Sequence, residues 1–485
     1  MEMQQGSERL ACEGSPTGTT RTASNDFCSR SAGVNTSSKG LNFVEAVMVS
    51  FNSGLGPTLS VVAYAAMLSG SVGFLFVLFV ATVTAIVEQQ TLMRASVECN
   101  ATTFQELCQR TPAWARQTTI WSGLIYLWAC GGFYFDFLEA FFEGQLCPLL
   151  CASNGDVWLC QSRWSLSLPI LLMIYVVCSP AELSGRLARG INITNMFVKT
   201  LVIAAAILKG FLTWRTKTET TSYVTWRPIG FFRVTSILMS SLANTGILPQ
   251  LAADVQPALR EKVTTWCPAI AVSMQSSVYV VVALVGYAAL GSAVDLDLFK
   301  IYEEKYPDVL TSILQGSMAL MIYFNLPLAI LPCKSQVWNF FSADVSLAEA
   351  PWAMQVALTL FFSLSSIAVP TLIGDEAFGN LILTVASTTG VWMNLLLPAV
   401  ILIYSRAPSD GRERHVWLMK VAWIVLLGVL CLIDGIIQML EPQSSTRDPK
   451  LAQAKKPTSN GFRLKVGRFL VKPGENDAGF LRAEL

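Results

Sequence analysis

The chain has 485 residues, of which 53% are hydrophobic and only 14% are charged, and its formal net charge is +1. Its mean hydropathy is +0.49. Soluble domains carry about 25% charged residues, so the composition excludes an ordinary soluble protein, and the near-zero net charge gives no reason to expect a nucleic-acid partner. The single histidine rules out a histidine-rich metal site, and no P-loop motif is present. Without an acid–base or nucleophile constellation, an enzyme is the least favoured class, and no cofactor is expected.

The apolar residues occur in runs of about 20, the length of a helix that crosses the hydrocarbon core of a bilayer. Residues 1–40 are polar and rich in Ser, Thr and Gly, and we expect a disordered cytoplasmic tail there. Residues 41–440 are predicted to form an all-α transmembrane transporter domain, and residues 441–485 a basic, polar C-terminal tail. Eleven spans are predicted, near residues 42–68, 71–93, 118–144, 164–182, 191–213, 230–252, 265–290, 308–333, 351–370, 376–404 and 415–439.

The distribution of basic residues predicts the orientation. With a cytoplasmic N-terminus, the cytoplasmic loops carry more Lys and Arg than the outer loops, in accord with the positive-inside rule. Eleven spans would place the basic C-terminal tail outside, which leaves the side of that tail open. The loop after the third span would be extracytoplasmic, where Cys147, Cys151 and Cys160 could form one disulfide.

The first span contains the sequence NSGLGP at residues 52–57, and its two glycines and proline predict a broken helix. In lipid, each freed backbone N–H or C=O group costs several kcal/mol unless protein, water or a ligand satisfies it. The N-terminus of the half-helix after the break favours a carboxylate. Carbonyl groups before the break favour a cation, so one break could bind both ends of a zwitterion.

The sixth span contains a matching sequence, NTGILP, at residues 244–249. Matching breaks five spans apart are typical of transporters built from two inverted five-helix repeats. Alternatively, the glycines could serve only close helix packing, and the prolines could be tolerated kinks. The paired breaks predict the substrate-binding residues Asn52, Ser53, Gly54, Gly56, Thr58, Asn244, Thr245 and Gly246.

Ionisable residues inside spans are functional candidates, because burying a charge is costly. Glu45 lies two helical turns before Asn52 on the same helix face, and a carboxyl group buried there could carry a proton. Glu88 and Asp136 are weaker candidates, and Asp136 could instead pair with Lys199.

Four stretches carry a family resemblance: NSGLGPTLSVVAYA at 52–65, VGYAALGS at 285–292, NLPLAILPCKSQVW at 325–338 and AFGNLILTVASTTGVWMNLLLPAVILI at 377–403. Together they resemble the amino acid/auxin permease family of transmembrane amino acid transporters, closest to its neutral amino acid transporter branch. The resemblance extends over roughly residues 41–405. It implies a LeuT-like fold of two inverted five-helix repeats with broken helices 1 and 6 and one extra helix. It also implies secondary transport of amino acids, driven by a proton or sodium gradient.

In sodium-coupled members of that family, a first-span Asn and an eighth-span Thr near a Pro contribute to coupling. Asn52 matches the first position, whereas Asn325 stands before Pro327 where the hydroxyl is expected. We therefore expect a proton rather than sodium, with Glu45 as the first candidate to carry it. If the coupling ion is sodium instead, Asn52 and Asn325 are the candidate residues.

Two other functions stay open. A permease for another small amine, such as a polyamine, would need more carboxylates near the breaks than Glu45 alone. A non-transporting amino acid sensor is permitted by the two polar tails. The sequence leaves open which amino acids are bound and whether the membrane is the plasma membrane or that of a vacuole or lysosome.

Overall fold

The protein was analysed as a computed structural model, in which the described residues are 40–56, 58–101, 104–108, 111–148, 150, 160, 169–172, 175, 178, 185–216, 223–242, 246–341, 347–404 and 411–440. The described residues up to Gln438 belong to one compact, all-helical unit. Its principal helices are α1 (Phe43–Gly54), α2 (Thr58–Ser69), α3 (Ser71–Cys99), α4 (Phe104–Cys108), α5 (Ala113–Phe141), α6 (Gly185–Thr216), α7 (Phe231–Leu242), α8 (Leu248–Asp254), α9 (Arg260–Leu290), α10 (Leu298–Lys305), α11 (Val309–Phe341), α12 (Trp352–Ile373), α13 (Asp375–Val385), α14 (Leu397–Tyr404) and α15 (Gly411–Leu440).

Nine of the eleven predicted spans correspond to candidate membrane spans in the described part of the chain. Eight helices in the described part are long and apolar enough to cross a membrane, and the bent pair α1 and α2 forms a ninth candidate. The shorter apolar helix α7, followed by α8, lies at the predicted sixth span. The predicted fourth span, near residues 164–182, lies largely outside the described residues. The chain is thus an integral, multi-pass membrane protein.

The predicted break in the first span is confirmed. Helices α1 and α2 meet at an angle of 65°, and Leu55 and Gly56 between them are not helical. Helix α1 begins with a capping box, in which the Asn42 side chain accepts from the backbone N–H of Glu45 and the Glu45 carboxylate accepts from that of Asn42. Pro57 lies outside the described residues.

The sixth span is also divided into two helices. Helix α7 ends at Leu242, and α8 begins at Leu248 with Pro249 in its first turn, where proline needs no N–H donor. Gly246 lies in the turn between them. Asn244 and Thr245, predicted to bind substrate, lie outside the described residues.

The chain before α1 is joined to the segment after α8. Leu41 and Val255 form a parallel bridge, in which the Leu41 N–H donates to the Asp254 carbonyl (2.8 Å) and the Gln256 N–H donates to the Leu41 carbonyl (3.3 Å). A Cβ atom on Gly40 would lie 2.9 Å from the Asp254 carbonyl oxygen, so only glycine fits this approach. The bridge therefore connects the start of the first span to the end of the sixth span, which are the two broken spans.

A disulfide joins Cys147 and Cys160, which both follow α5 in the chain. The sequence predicted one disulfide among three cysteines without choosing the pair. Cys151, the third candidate, lies outside the described residues.

Candidate functional site

The C-terminal end of α1 is capped by side chains of α9. The Gln275 side-chain amide donates to the carbonyls of Ser50 (3.0 Å) and Phe51 (3.1 Å). The Tyr279 hydroxyl donates to the carbonyl of Gly54 (3.0 Å). Both side chains are fully buried, so α9 supplies the donors that a helix end inside a membrane requires.

Lys199 of α6 completes this set of donors. Its ammonium group donates to the carbonyl oxygen of Asn52, and it lies 3.5 Å from Oδ1 of Asn325 on α11. Only 1% of the residue is exposed. The alternative in which Lys199 pairs with Asp136 is not supported by an ion pair among the described residues, where the ammonium group bonds to neutral oxygens. The sequence identifies Lys199 as an ionisable residue within a span, but no local pattern places it at the break.

Asn52 and Asn325 contact this ammonium group, and their side chains hydrogen-bond with Asn192 and Asn195 of α6. We call these four residues the asparagine cluster. The Asn52 side-chain amide donates to the Asn192 carbonyl (3.3 Å) and to Oδ1 of Asn192, and Asn195 donates to Oδ1 of Asn325 (2.9 Å). Within the described part of the chain, Oδ1 of Asn52 and Oδ1 of Asn195 are buried and accept no hydrogen bond. The cluster and Lys199 thus join α1, α6 and α11.

The spacing of the polar residues on α6 could have identified part of this cluster. Asn192, Asn195 and Lys199 are three and four residues apart, so they lie on one helix face. Three polar residues on one face of an apolar span indicate a buried polar contact. Which residues they contact depends on tertiary packing.

The end of α7 is capped in a similar way. The Tyr126 hydroxyl of α5 donates to the Ser240 carbonyl (3.0 Å), and the buried Gln89 side chain of α3 donates to the Leu242 carbonyl (2.7 Å). In both broken spans, therefore, neighbouring helices satisfy carbonyl groups of the half-helix before the break.

The predicted glycines have different surroundings. A Cβ atom on Gly54 would lie 2.2 Å from the amide nitrogen of Gln275, so this glycine permits close helix packing. A Cβ atom on Gly56 would have the Tyr134 hydroxyl as its nearest neighbour, at 4.0 Å, and one on Gly246 would meet no described atom within 4 Å. The described atoms therefore leave room for a side chain at Gly56 and Gly246, whereas close helix packing explains Gly54.

The two hydroxyl residues near the first break both have hydrogen-bond partners. The Ser53 hydroxyl donates to the Ser50 carbonyl one turn earlier (2.9 Å), so its hydrogen is used within α1. Thr58 opens α2, and its side chain also hydrogen-bonds with Tyr279. Tyr279 thereby contacts both half-helices across the break.

The two carboxyl groups proposed for proton coupling have different environments. Glu45 is exposed and caps the start of α1. The sequence-based hypothesis required a buried carboxyl group at Glu45. The expectation that Glu45 is buried was wrong. Glu88 is fully buried on α3, and within the described part of the chain neither of its carboxyl oxygens has a hydrogen-bond partner.

Comparison with known proteins identifies the fold. No protein-family model matches the sequence, and no curated protein matches it. A mutant of the Eremococcus coleocola manganese transporter is similar in structure, with 11% identity, coverage of 85% of this chain and 90% of that chain, and a TM-score of 0.58. MhsT in complex with L-phenylalanine is similar with 12% identity, coverage of 83% and 99%, and a TM-score of 0.50. The chain has the LeuT-like fold that the sequence predicted.

Proposed function

We propose that the protein is a secondary active transporter that moves amino acids across a membrane as a symporter. The observation that carries the proposal is the pair of broken spans, with open space beside Gly56 and Gly246. The N-terminus of α2 supplies backbone N–H groups and a positive dipole end for a substrate carboxylate. In transporters of this architecture, broken helices bind substrate near the bilayer midplane.

Relatedness to the amino acid/auxin permease family is part of this proposal and depends on the four sequence stretches. MhsT, which has the same fold, was crystallised with L-phenylalanine, and this supports an amino acid as the substrate class. The manganese transporter suggests a metal ion as the alternative cargo. Among the described residues, no group of three or more His, Cys, Asp or Glu side chains could hold a metal ion, and this favours the amino acid.

The substrate amino group needs oxygen partners that are still free. The carbonyls of Ser50, Phe51, Asn52 and Gly54 already accept hydrogen bonds from side chains of other helices. This differs from the expectation that carbonyl groups before the first break would bind the ammonium group. We therefore place the carboxylate at the start of α2 and assign no partner to the amino group, since the Ser240 and Leu242 carbonyls at the end of α7 also accept side-chain hydrogen bonds.

The proposed orientation has the N-terminus in the cytoplasm. The Cys147–Cys160 disulfide supports it, because disulfides persist in oxidising compartments and this loop is then extracytoplasmic. Both the plasma membrane and a vacuolar or lysosomal membrane meet this requirement. We propose a proton as the coupling ion.

Uptake into proteoliposomes tests this function. A panel of labelled amino acids, a polyamine and manganese should be offered, with sodium and pH gradients imposed separately. We expect uptake of amino acids alone, and we expect Gly56→Val to abolish it in protein that remains folded, because the branched side chain fills the space next to Tyr134. Uptake of manganese or polyamine without amino acids, or normal uptake by folded Gly56→Val, would refute the proposal.

A further inference from the structure

A cavity of about 160 Å³ lies where the end of α3, the end of α8 and the start of α9 meet. Ser96 and Asn100 line one wall, and Ala253 and Arg260 line the other. No described residue of the two breaks or of the asparagine cluster lines it. The cavity is therefore separate from the proposed substrate site.

The cavity lies at the level of the lipid headgroups. Helix α3 has 29 residues and is therefore about 44 Å long, whereas the hydrocarbon core is about 30 Å thick. The last residues of α3, which line the cavity, thus extend beyond the core. In the proposed orientation this end of α3 faces the cytoplasm.

The backbone acceptors of both walls already have partners. The Ser96 carbonyl accepts from the Ala101 N–H (2.9 Å), and the Ala101 carbonyl accepts from the Ser96 hydroxyl (2.6 Å). On the other wall, the Ala253 carbonyl accepts from Nη2 of Arg260 (3.3 Å). The unsatisfied group at this place is a donor.

That donor is the Nε–H group of Arg260. Its nitrogen is buried and has no hydrogen-bond partner among the described residues, and no described carboxylate forms an ion pair with Arg260. An unpaired buried donor is costly, and more so when it is charged. The planar guanidinium group fits the oxygens of a phosphate group. Arg260 is also the first residue of α9, whose N-terminal end favours an anion.

We propose that this cavity binds the phosphate headgroup of an anionic lipid of the cytoplasmic leaflet, with Arg260 as its main ligand. Basic pockets between transmembrane helices on the cytoplasmic side are places where such headgroups bind. A bound phosphate group would contact α3, α8 and α9 together, and it would stabilise the end of the sixth span. This binding site goes beyond the proposed transport function.

Thermal unfolding of the purified protein in a neutral detergent tests the proposal. We expect dioleoyl phosphatidic acid to raise the unfolding temperature in a concentration-dependent manner. Dioleoyl phosphatidylcholine and inorganic phosphate at the same concentrations should not, because the first lacks net charge and the second lacks acyl chains that insert into the micelle. Arg260→Gln should lose the shift. Arg414→Gln is the matched control, since it removes an exposed arginine outside the cavity on the same proposed side of the membrane, and it should respond like wild type.

A second variant covers the case in which Arg260→Gln does not fold. Ala253→Leu keeps the guanidinium group but fills the cavity, so it should lose the shift as well. A full shift in folded Arg260→Gln or Ala253→Leu, or an equal shift with phosphatidylcholine, would overturn the site. Stabilisation by inorganic phosphate and not by phosphatidic acid would overturn the lipid as its occupant. These measurements need no transport, so a failed uptake assay would refute the proposed function and leave this inference standing.

Discussion

Replacing Gly54 by alanine should disrupt the cap at the end of α1. The new methyl group would lie 2.2 Å from the Gln275 amide nitrogen and 2.7 Å from its amide carbon, so the Gln275 side chain must leave its place. Two hydrogen bonds to buried carbonyls are then lost. Gly56→Ala is the matched control two residues away, because its methyl group has 4.0 Å to the nearest atom.

The size of the effect follows from these contacts. The two hydrogen bonds contribute about 1–3 kcal/mol, and forcing the amide into a packed interior costs about 1–3 kcal/mol more. Alanine recovers about 1 kcal/mol of helix propensity relative to glycine. We therefore expect Gly54→Ala to lower the free energy of unfolding by about 1–5 kcal/mol, and Gly56→Ala to change it little.

Thermal unfolding of the purified variants, combined in a double-mutant cycle with Gln275→Ala, measures this coupling. In the Gln275→Ala background the obstacle is gone, so Gly54→Ala should cost nothing further. Equal stability of the two single glycine variants, or additive effects of Gly54→Ala and Gln275→Ala, would refute the packing explanation of Gly54.

Three further predictions concern the rest of the chain. Leu41→Pro removes the N–H that donates to the Asp254 carbonyl, so hydrogen exchange at the Gln256 amide should accelerate, whereas Leu41→Ala should match wild type; identical exchange in both variants would contradict the bridge. Burial tends to raise the pKa of Asp308, but hydrogen bonds from Lys209 and Thr311 outweigh it and hold the pKa below the ordinary 3.8. The stabilisation from this carboxylate is therefore present above pH 3.8 and is lost as the pH falls through the lower folded-state pKa, and Asp308→Asn should flatten that acid limb of a stability–pH profile; an unchanged profile would count against the ion pair. Asn100 begins a glycosylation sequon in a loop that the proposed orientation places in the cytoplasm, so the protein should carry no glycan there; a glycosidase-sensitive mass that disappears in Asn100→Gln would reverse the orientation.

Local chemistry was sufficient to predict the breaks. Glycine and proline within an apolar span interrupt a helix wherever they occur, so the bend after Gly54 and the division of the sixth span follow from composition and position. The same reasoning misjudged Glu45, although a pattern for the correct answer was present. An Asn followed three residues later by Glu, just before an apolar run, is typical of a capping box at a helix start.

The partners of the broken helices could not be predicted. Gln275 and Tyr279 are far along the chain from the carbonyls that they cap, and no local pattern distinguishes them from other polar residues of α9. Their role depends on which helices pack together. The position of Lys199 beside Asn52 is determined in the same way, since helix packing alone brings α6 against the first break.

Simultaneous measurement of substrate and proton movement tests the central claim most directly. Purified protein in liposomes containing a pH-sensitive dye, with sodium absent on both sides, should be given an inward proton gradient and a labelled amino acid. We predict that the amino acid accumulates above its external concentration and that the lumen acidifies as it enters. Accumulation that requires a sodium gradient and leaves the internal pH unchanged would contradict the account.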